Sequence, residues 1–189
     1  MMYLGALAAV VIAYLLGSIN FAVIFANAFL KKDVRELGSG NAGTTNVMRT
    51  AGFLPGALTF ICDALKGFAA CFIGKAIFMY ILPDTIPWIY VCYMCGVACM
   101  LGHVFPIFFG FKGGKGVATS FAVLIALHWP TALIALGVFI VICAISRYVS
   151  LSSICASVGA IISSFIFFKI DAFSIFCTVI GLLCIYRHK

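Results

Sequence analysis

The chain has 189 residues, of which 65% are hydrophobic and only 9% charged, and its mean hydropathy is +1.24. An ordinary soluble domain carries about 25% charged residues, so these proportions exclude a soluble fold and leave a single-domain integral membrane protein spanning 1–189. The net charge of +7 comes from 12 Lys and Arg against 5 Asp and Glu; the cations sit in short loops beside apolar spans, where anionic headgroups and the positive-inside rule account for them better than nucleic acid does.

A membrane-crossing helix needs about 20 apolar residues. The first apolar run, 2–30, is long enough with tilt and contains Gly17, Ser18 and Asn20, small or polar residues suited to helix contact. Ala26-Asn27-Ala28 looks like a cleavage site, but no Lys or Arg precedes the run, which far exceeds a secretory apolar core. It reads as an uncleaved first helix. A polar loop follows over 31–52, then a second span over 53–82, and a turn at Pro83-Asp84-Thr85-Ile86-Pro87.

The third span begins at 88 and gives way near Pro106 to a second polar loop, 102–119, that starts within the membrane interface. The stretch 120–145 reads either as one span or as two short ones broken at His128-Trp129-Pro130. Spans at 148–168 and 172–186 complete the chain, which ends Arg187-His188-Lys189. Charge placement favours the break. It gives about seven transmembrane helices in an all-α fold, N-terminus out and C-terminus in. Lys31, Lys32, Arg35, Arg49, Lys112, Lys115, Arg147, Arg187 and Lys189 then share the inner side. Lys169 faces out, balanced by Asp84 and Asp171, with Lys75 near the outer end of the second span. Both polar loops fall on the cytoplasmic side, where they can share one site.

The nine cysteines all lie in apolar segments and read as small hydrophobes. Cys92, Cys95, Cys99 and His103 fall near one helical face, but without the spacing of a structural zinc site; neither a metal nor a cofactor is expected. Gly38-x-Gly40-x-x-Gly43 matches the dinucleotide fingerprint in letters, yet it follows a membrane helix rather than a buried strand, so nicotinamide binding is rejected. Gly113-Gly114-Lys115-Gly116 lacks the earlier glycine and the Ser or Thr of a Walker A loop.

What remains is the physics of the two loops. Glycines let backbone N–H groups approach an anion. Ser39, Asn41, Thr44, Thr45 and Asn46 supply small donors, while Arg49 and Lys115 supply a planar fork and a point charge. Acidic residues are scarce nearby. The pattern points to a phosphate-bearing substrate at a membrane surface. Asp63 and Lys66, three residues apart inside the second span, form either a mutual pair beneath the site or a direct contact to substrate. His103 is a lone histidine beside Phe105-Pro106, and the serines after Arg147-Tyr148 read as helix caps or further donors.

At these residues the chain resembles a known family. Ser39-Gly40-Asn41-Ala42-Gly43-Thr44-Thr45-Asn46-x-x-Arg49-x-x-Gly52 looks like the first signature of the bacterial acyl-phosphate:glycerol-3-phosphate acyltransferases, the PlsY family; Thr44 stands where alanine is usual. The second signature resembles Gly102-His103-x-Phe105-Pro106 followed by Phe111-Lys112-Gly113-Gly114-Lys115-Gly116-Val117-Ala118-Thr119. Asp63-x-x-Lys66-Gly67 and Arg147-Tyr148-Val149-Ser150 match as well. Of the third signature only Arg187-His188-Lys189 is present, so the sequence reads as truncated within it.

The resemblance implies transfer of an acyl group from acyl phosphate to the 1-hydroxyl of glycerol 3-phosphate, giving lysophosphatidic acid in the inner membrane of a bacterium. It implies Ser39, Arg49, His103 and Lys115 as catalytic residues. Gly40, Asn41, Gly43, Thr44, Thr45, Asn46, Gly113, Gly114, Gly116, Ser150 and His188 are then expected to line the substrate and phosphate site. The rival expectation is a transporter of a phosphate ester, which also needs cationic loops between helices.

Overall fold

The computed structural model describes residues 2–81 and 87–188, so most of the expected turn at 83–87, with Asp84, and the terminal Lys189 lie outside the described residues. All regular structure among the described residues is helical: α1 Met2–Gly17, α2 Phe21–Leu30, α3 Thr44–Ala51, α4 Phe53–Ile81, α5 Trp88–Val104, α6 Val117–Ser146, α7 Val149–Phe168 and α8 Ala172–Tyr186. Five stretches are long and apolar enough to cross a membrane, 5–30 counting as one, and α8 is a shorter apolar helix. Outward positions such as Ile145, Ile166 and Phe53 are large, apolar and uncovered, as a lipid-facing surface requires.

The first apolar run is not one helix, as its hydropathy suggested, but two. The chain leaves helical geometry at Ser18–Asn20, and Asn20 restarts it as the N-cap of α2, its side-chain oxygen accepting from Val23 N at 3.3 Å. A break inside a membrane frees carbonyls that water cannot reach, and each must find a donor. Lys66 Nζ from α4 supplies one, donating to Ile19 O at 2.8 Å.

A second break decides the architecture. A straight 30-residue helix is about 45 Å long, so the two ends of α6 should stand far apart. Instead Lys115, just before α6, donates through Nζ to Ser150 Oγ, just after it, at 3.3 Å. The chain reverses at His128, whose φ of −156° and ψ of 89° are not helical, leaving legs over 117–127 and 129–146. His128 Nδ1 meets Thr131 Oγ1 at 2.9 Å and Thr131 N at 3.4 Å, capping the second leg. Pro130 sits in the first turn of that leg, where a missing N–H costs nothing. The imidazole is held edge-on by Phe168 at 4.8 Å and Phe173 at 5.5 Å, between the end of α7 and the start of α8.

The first leg, with 11 residues, is about 10 Å shorter than the second, with 18. The loop that feeds it therefore starts below the surface reached by the second leg. Loops 31–43 and 105–116, the α6–α7 corner and residues 187–188 gather at this end of the bundle around two joined cavities. Lys75 lies towards the opposite end of α4, its ammonium over the Trp88 ring at 4.7 Å.

Candidate active site

The first loop is shaped by its own polar side chains. Asp33 accepts from Arg35 N at 2.9 Å and pairs with the Arg35 guanidinium at 2.6 Å, opening a 3-10 turn at Val34–Glu36. The guanidinium hydrogen bonds hold the Asp33 carboxyl below the usual carboxylate range. Arg35 Nη1 also donates to Phe109 O at 2.7 Å, tying the first loop to the second.

Asn46 completes the loop from within. Its Nδ2 donates to Val34 O at 3.1 Å and to Leu37 O at 2.9 Å, and its Oδ1 accepts from Ser39 N at 3.0 Å. Both amide hydrogens are therefore used, and Asn46, expected among the phosphate donors, instead moulds the loop that carries Ser39.

The second loop folds back on α5. Gly113 N donates to Val104 O and Gly114 N to His103 O, both at 3.2 Å. A Cβ on Gly114 would run into His103 Nε2 and Ala42 O, so glycine is what lets the two loops touch across that ring. Gly116 has φ of +83°, the left-handed region that favours glycine, and from there α6 departs.

Between these loops and the α6–α7 corner lies a cavity of about 540 Å³. Ser39, Asn41, Gly43, Thr44, Thr45, Asn46 and Arg49 line it from the first loop and α3. His103, Lys115 and Gly116 line it from the second loop, and Ser150 and His188 from the α7 start and the chain end. Gly40 and Gly113 border instead a wider cleft of about 1050 Å³, which shares Ser39, Asn41 and Lys115 with the first cavity. Gly114 backs His103 rather than facing open space. The two loops expected to cooperate are thus adjacent.

Three helices begin at this cavity. The N-cap residues of α3, α6 and α7 are Gly43, Gly116 and Tyr148; all three line it, and none offers a side-chain cap. First-turn amides have no carbonyl partner within their own helix, and each helix start carries about half a positive charge. Three uncapped starts converging on one hollow present the donors and partial positive charge that suit an anion. Arg49, Lys115 and Arg147 add full charges, whereas the nearby carboxylate of Asp63 is paired with Lys66 at 2.8 Å.

Burial pushes the Lys115 ammonium below the ordinary lysine value, with nearby Arg187 acting in the same direction. His188 Nδ1 lies 2.7 Å from Cys184 O, a pure acceptor, so that nitrogen carries the proton and Nε2 is left as an acceptor. Burial lowers the affinity of this ring for a second proton. No serine or threonine of the cavity is hydrogen-bonded to a histidine among the described residues. The site is thus equipped to hold phosphate and stabilise charge, without a nucleophile–base pair.

Two lining residues carried no signal in the sequence. Phe60 of α4 and Phe139 of α6 face the cavity from inside apolar spans, where one phenylalanine reads like another. On the Cys92–His103 face, Cys92 Sγ donates to Cys71 O at 3.3 Å and Cys99 Sγ to Lys66 O at 3.5 Å.

Bundle and cavity together define a polytopic membrane protein with a cation-lined cavity at one end of its helices. The family model for glycerol-3-phosphate acyltransferase matches residues 7–189, and the chain belongs to that family. It is 44% identical over 184 residues to a glycerol-3-phosphate acyltransferase of Endomicrobium trichonymphae, covering 95% of this chain and 86% of that one. With the corresponding protein of Trichormus variabilis it shares 40% over 193 residues, covering 96% and 84%. The crystal structure of PlsY (YgiH), an integral membrane glycerol 3-phosphate acyltransferase, in its glycerol 3-phosphate form, superposes with a TM-score of 0.85 at 42% identity over 97% of this chain and 88% of that one. Its lysophosphatidic acid form gives 0.82 at 41%. The relatives' names set aside the transporter expectation.

Proposed function

We propose that this chain transfers an acyl group from acyl phosphate to the 1-hydroxyl of glycerol 3-phosphate, releasing lysophosphatidic acid and phosphate. The single observation that carries this reading is the convergence of three uncapped helix starts with Arg49, Lys115 and Arg147 on one cavity. Both substrates are phosphate monoanions or dianions, and the cavity offers donors and positive charge in excess of what its walls need. The hydroxyl-bearing substrate and the lipid-tailed donor call for one polar and one apolar approach. Phe60 and Phe139 on the walls, beside Val117 and Val149, suit the acyl chain.

Acyl phosphate is already activated, so the protein need only align the hydroxyl and stabilise the departing phosphate. Ser39, Thr45, Arg49 and Lys115, with the amides of Asn41 and Thr44, hold phosphate in this reading, while the amides of Gly40 and Gly43 donate to Leu37 O and Asn41 O and shape the loop. Gly113, Gly114 and Gly116 shape the second loop, Ser150 steadies Lys115, and His103 and His188 present acceptors. Asn46 supports the first loop. The hydroxyl proton leaves on the departing phosphate.

In this reading residues 1–189 form one domain of seven passes, the two legs of α6 counting as two. The N-terminus lies outside and the site faces the cytoplasm across the inner membrane of a bacterium, since the cations cluster at the cavity end. The test is to supply purified protein in detergent with acyl phosphate and labelled glycerol 3-phosphate. Labelled lysophosphatidic acid is expected. Vesicle uptake of glycerol 3-phosphate without any lipid product would overturn the proposal.

A further inference from the structure

We propose that Arg35 is a positioning residue whose guanidinium clasps the second loop to the first, holding both in register before substrate arrives; this rests on the acyl-transfer reading above. No backbone hydrogen bond joins residues 31–43 to residues 105–116 among the described residues. Arg35 reaches across instead. Its Nη1 donates to Phe109 O at 2.7 Å and to Lys112 O at 3.5 Å. Its other edge grips Asp33, with Nε 3.0 Å from Oδ1 and Nη2 2.6 Å from Oδ2.

The near end of the clasp is rigid. Arg35 sits in the 3-10 turn Val34–Glu36, where Val34 is fully buried and the carbonyls of Val34 and Leu37 accept from Asn46 Nδ2. A carboxylate on one edge of a planar guanidinium fixes the plane, so Nη1 is aimed at the second loop. The far end is where that loop needs holding. Gly110 and Phe111 both adopt left-handed geometry, with φ of +65° and +59°. This suits glycine but is costly for phenylalanine, and such a residue persists only where its surroundings over-determine it. The Phe111 ring is 56% exposed, so its burial offers little compensation. The two carbonyls that Arg35 binds, Phe109 O and Lys112 O, flank this pair on either side. Lys115 follows four residues after Phe111, so the direction in which the loop leaves the clasp sets where its ammonium stands.

An exposed ion pair by itself is worth little, and a free guanidinium bordering the wider cleft would attract phosphate directly. Arg35 is not free. All three of its side-chain nitrogens have partners, and Asp33 matches its charge. Its remaining role is preorganisation. Loops already in register bind phosphate without the cost of ordering them. When only a fraction of molecules has its loops in register, the apparent affinity falls by that fraction.

The test separates this role from folding and from simple charge. Arg35→Gln is expected to raise the KM for glycerol 3-phosphate about 10–30-fold with kcat within about threefold of wild type, because saturating substrate reorders the loops. Loss of folded enzyme would do the opposite, lowering kcat at unchanged KM. Arg35→Lys keeps the charge without the fork and is expected to raise KM about tenfold. Asparagine tolerates left-handed geometry, so in a Phe111→Asn background Arg35→Gln should raise KM no more than about threefold. Amide hydrogen exchange over 106–113, measured without substrate, should be faster in Arg35→Gln than in wild type and unchanged over α7. Should Arg35→Gln not fold, Arg35→Lys carries the KM and exchange expectations. A KM untouched by Arg35→Gln, a wild-type KM in Arg35→Lys, equal costs in both Phe111 backgrounds, or unaltered exchange would each overturn the proposal. A wild type that makes no lysophosphatidic acid would instead sink the acyl-transfer reading, leaving the exchange comparison to decide the clasp.

Discussion

Lys115 Nζ donates to Ser150 Oγ across 3.3 Å, joining the loop before α6 to the first turn of α7. The thirty residues of α6 separate the two segments, so the contact exists only because α6 doubles back at His128. Lys115 is also shared by both cavities, which places its charge at their junction.

Lys115→Met removes that charge while keeping the length of the side chain. The expected loss in kcat/KM is about 10²–10³-fold, the range for deleting one electrostatic stabiliser in a dry site. Ser150→Ala leaves the ammonium in place and is expected to cost no more than about tenfold. Steady-state turnover in detergent checks both; equal losses would mean that Ser150, not Lys115, organises the site.

Gly114→Ala places a methyl where His103 Nε2 and the Ala42 carbonyl already sit. The ring must turn away from the cavity, and kcat should fall about 10²-fold. Gly137→Ala is the matched control: a Cβ there meets nothing within 4 Å, and alanine favours a helix. Its turnover should equal wild type, with an equal or higher melting temperature.

The alkaline limb of the pH profile follows from Lys115. Burial lowers its folded value below the ordinary lysine value of 10.5. Phosphate binding needs the ammonium, so kcat/KM should begin to fall at a lower pH than an ordinary lysine would impose. Lys115→Arg should move that limb upward, since guanidinium stays charged. For stability the sign is the reverse. Below its folded value the buried lysine is protonated in both states and the native state bears the desolvation cost. As pH rises through the folded value towards 10.5, the unfolded chain holds more protons and the Lys115 contribution to stability rises.

His128 is a cap at a chain reversal. His128→Leu removes the acceptor for Thr131 and the edge-on contacts with Phe168 and Phe173. Loss of the cap alone should lower stability by about 1 kcal/mol. His128→Asn keeps a capping acceptor and should recover part of the loss. Thermal unfolding in detergent, followed by helical circular dichroism, distinguishes the two.

Much of this architecture is legible in the amino-acid sequence. The apolar spans, the two glycine-rich loops and the break at His128-Trp129-Pro130 follow from hydropathy, backbone permissiveness and charge placement. Other features are not. Ser18–Asn20 breaks a run that hydropathy reads as continuous, because side-chain capping by Asn20 and the Lys66 bond to Ile19 O offset the lost helical bonds. Asn46 has the composition of a phosphate ligand, yet three backbone groups of its own loop use its amide. Phe60 and Phe139 cannot be distinguished by sequence from lipid-facing neighbours, since only packing decides which face of an apolar helix meets a cavity.

The sequence by itself determined that this is a helical membrane protein with two anion-seeking loops, because span length, glycine content and charge are local properties of the chain. Only the tertiary structure decided that three helix starts open onto one cavity, that Lys115 sits beside Ser150, and that Asp63 faces His103. Depth, direction and the partner of a buried polar atom depend on how helices pack, and packing is set by contacts between residues far apart in the chain.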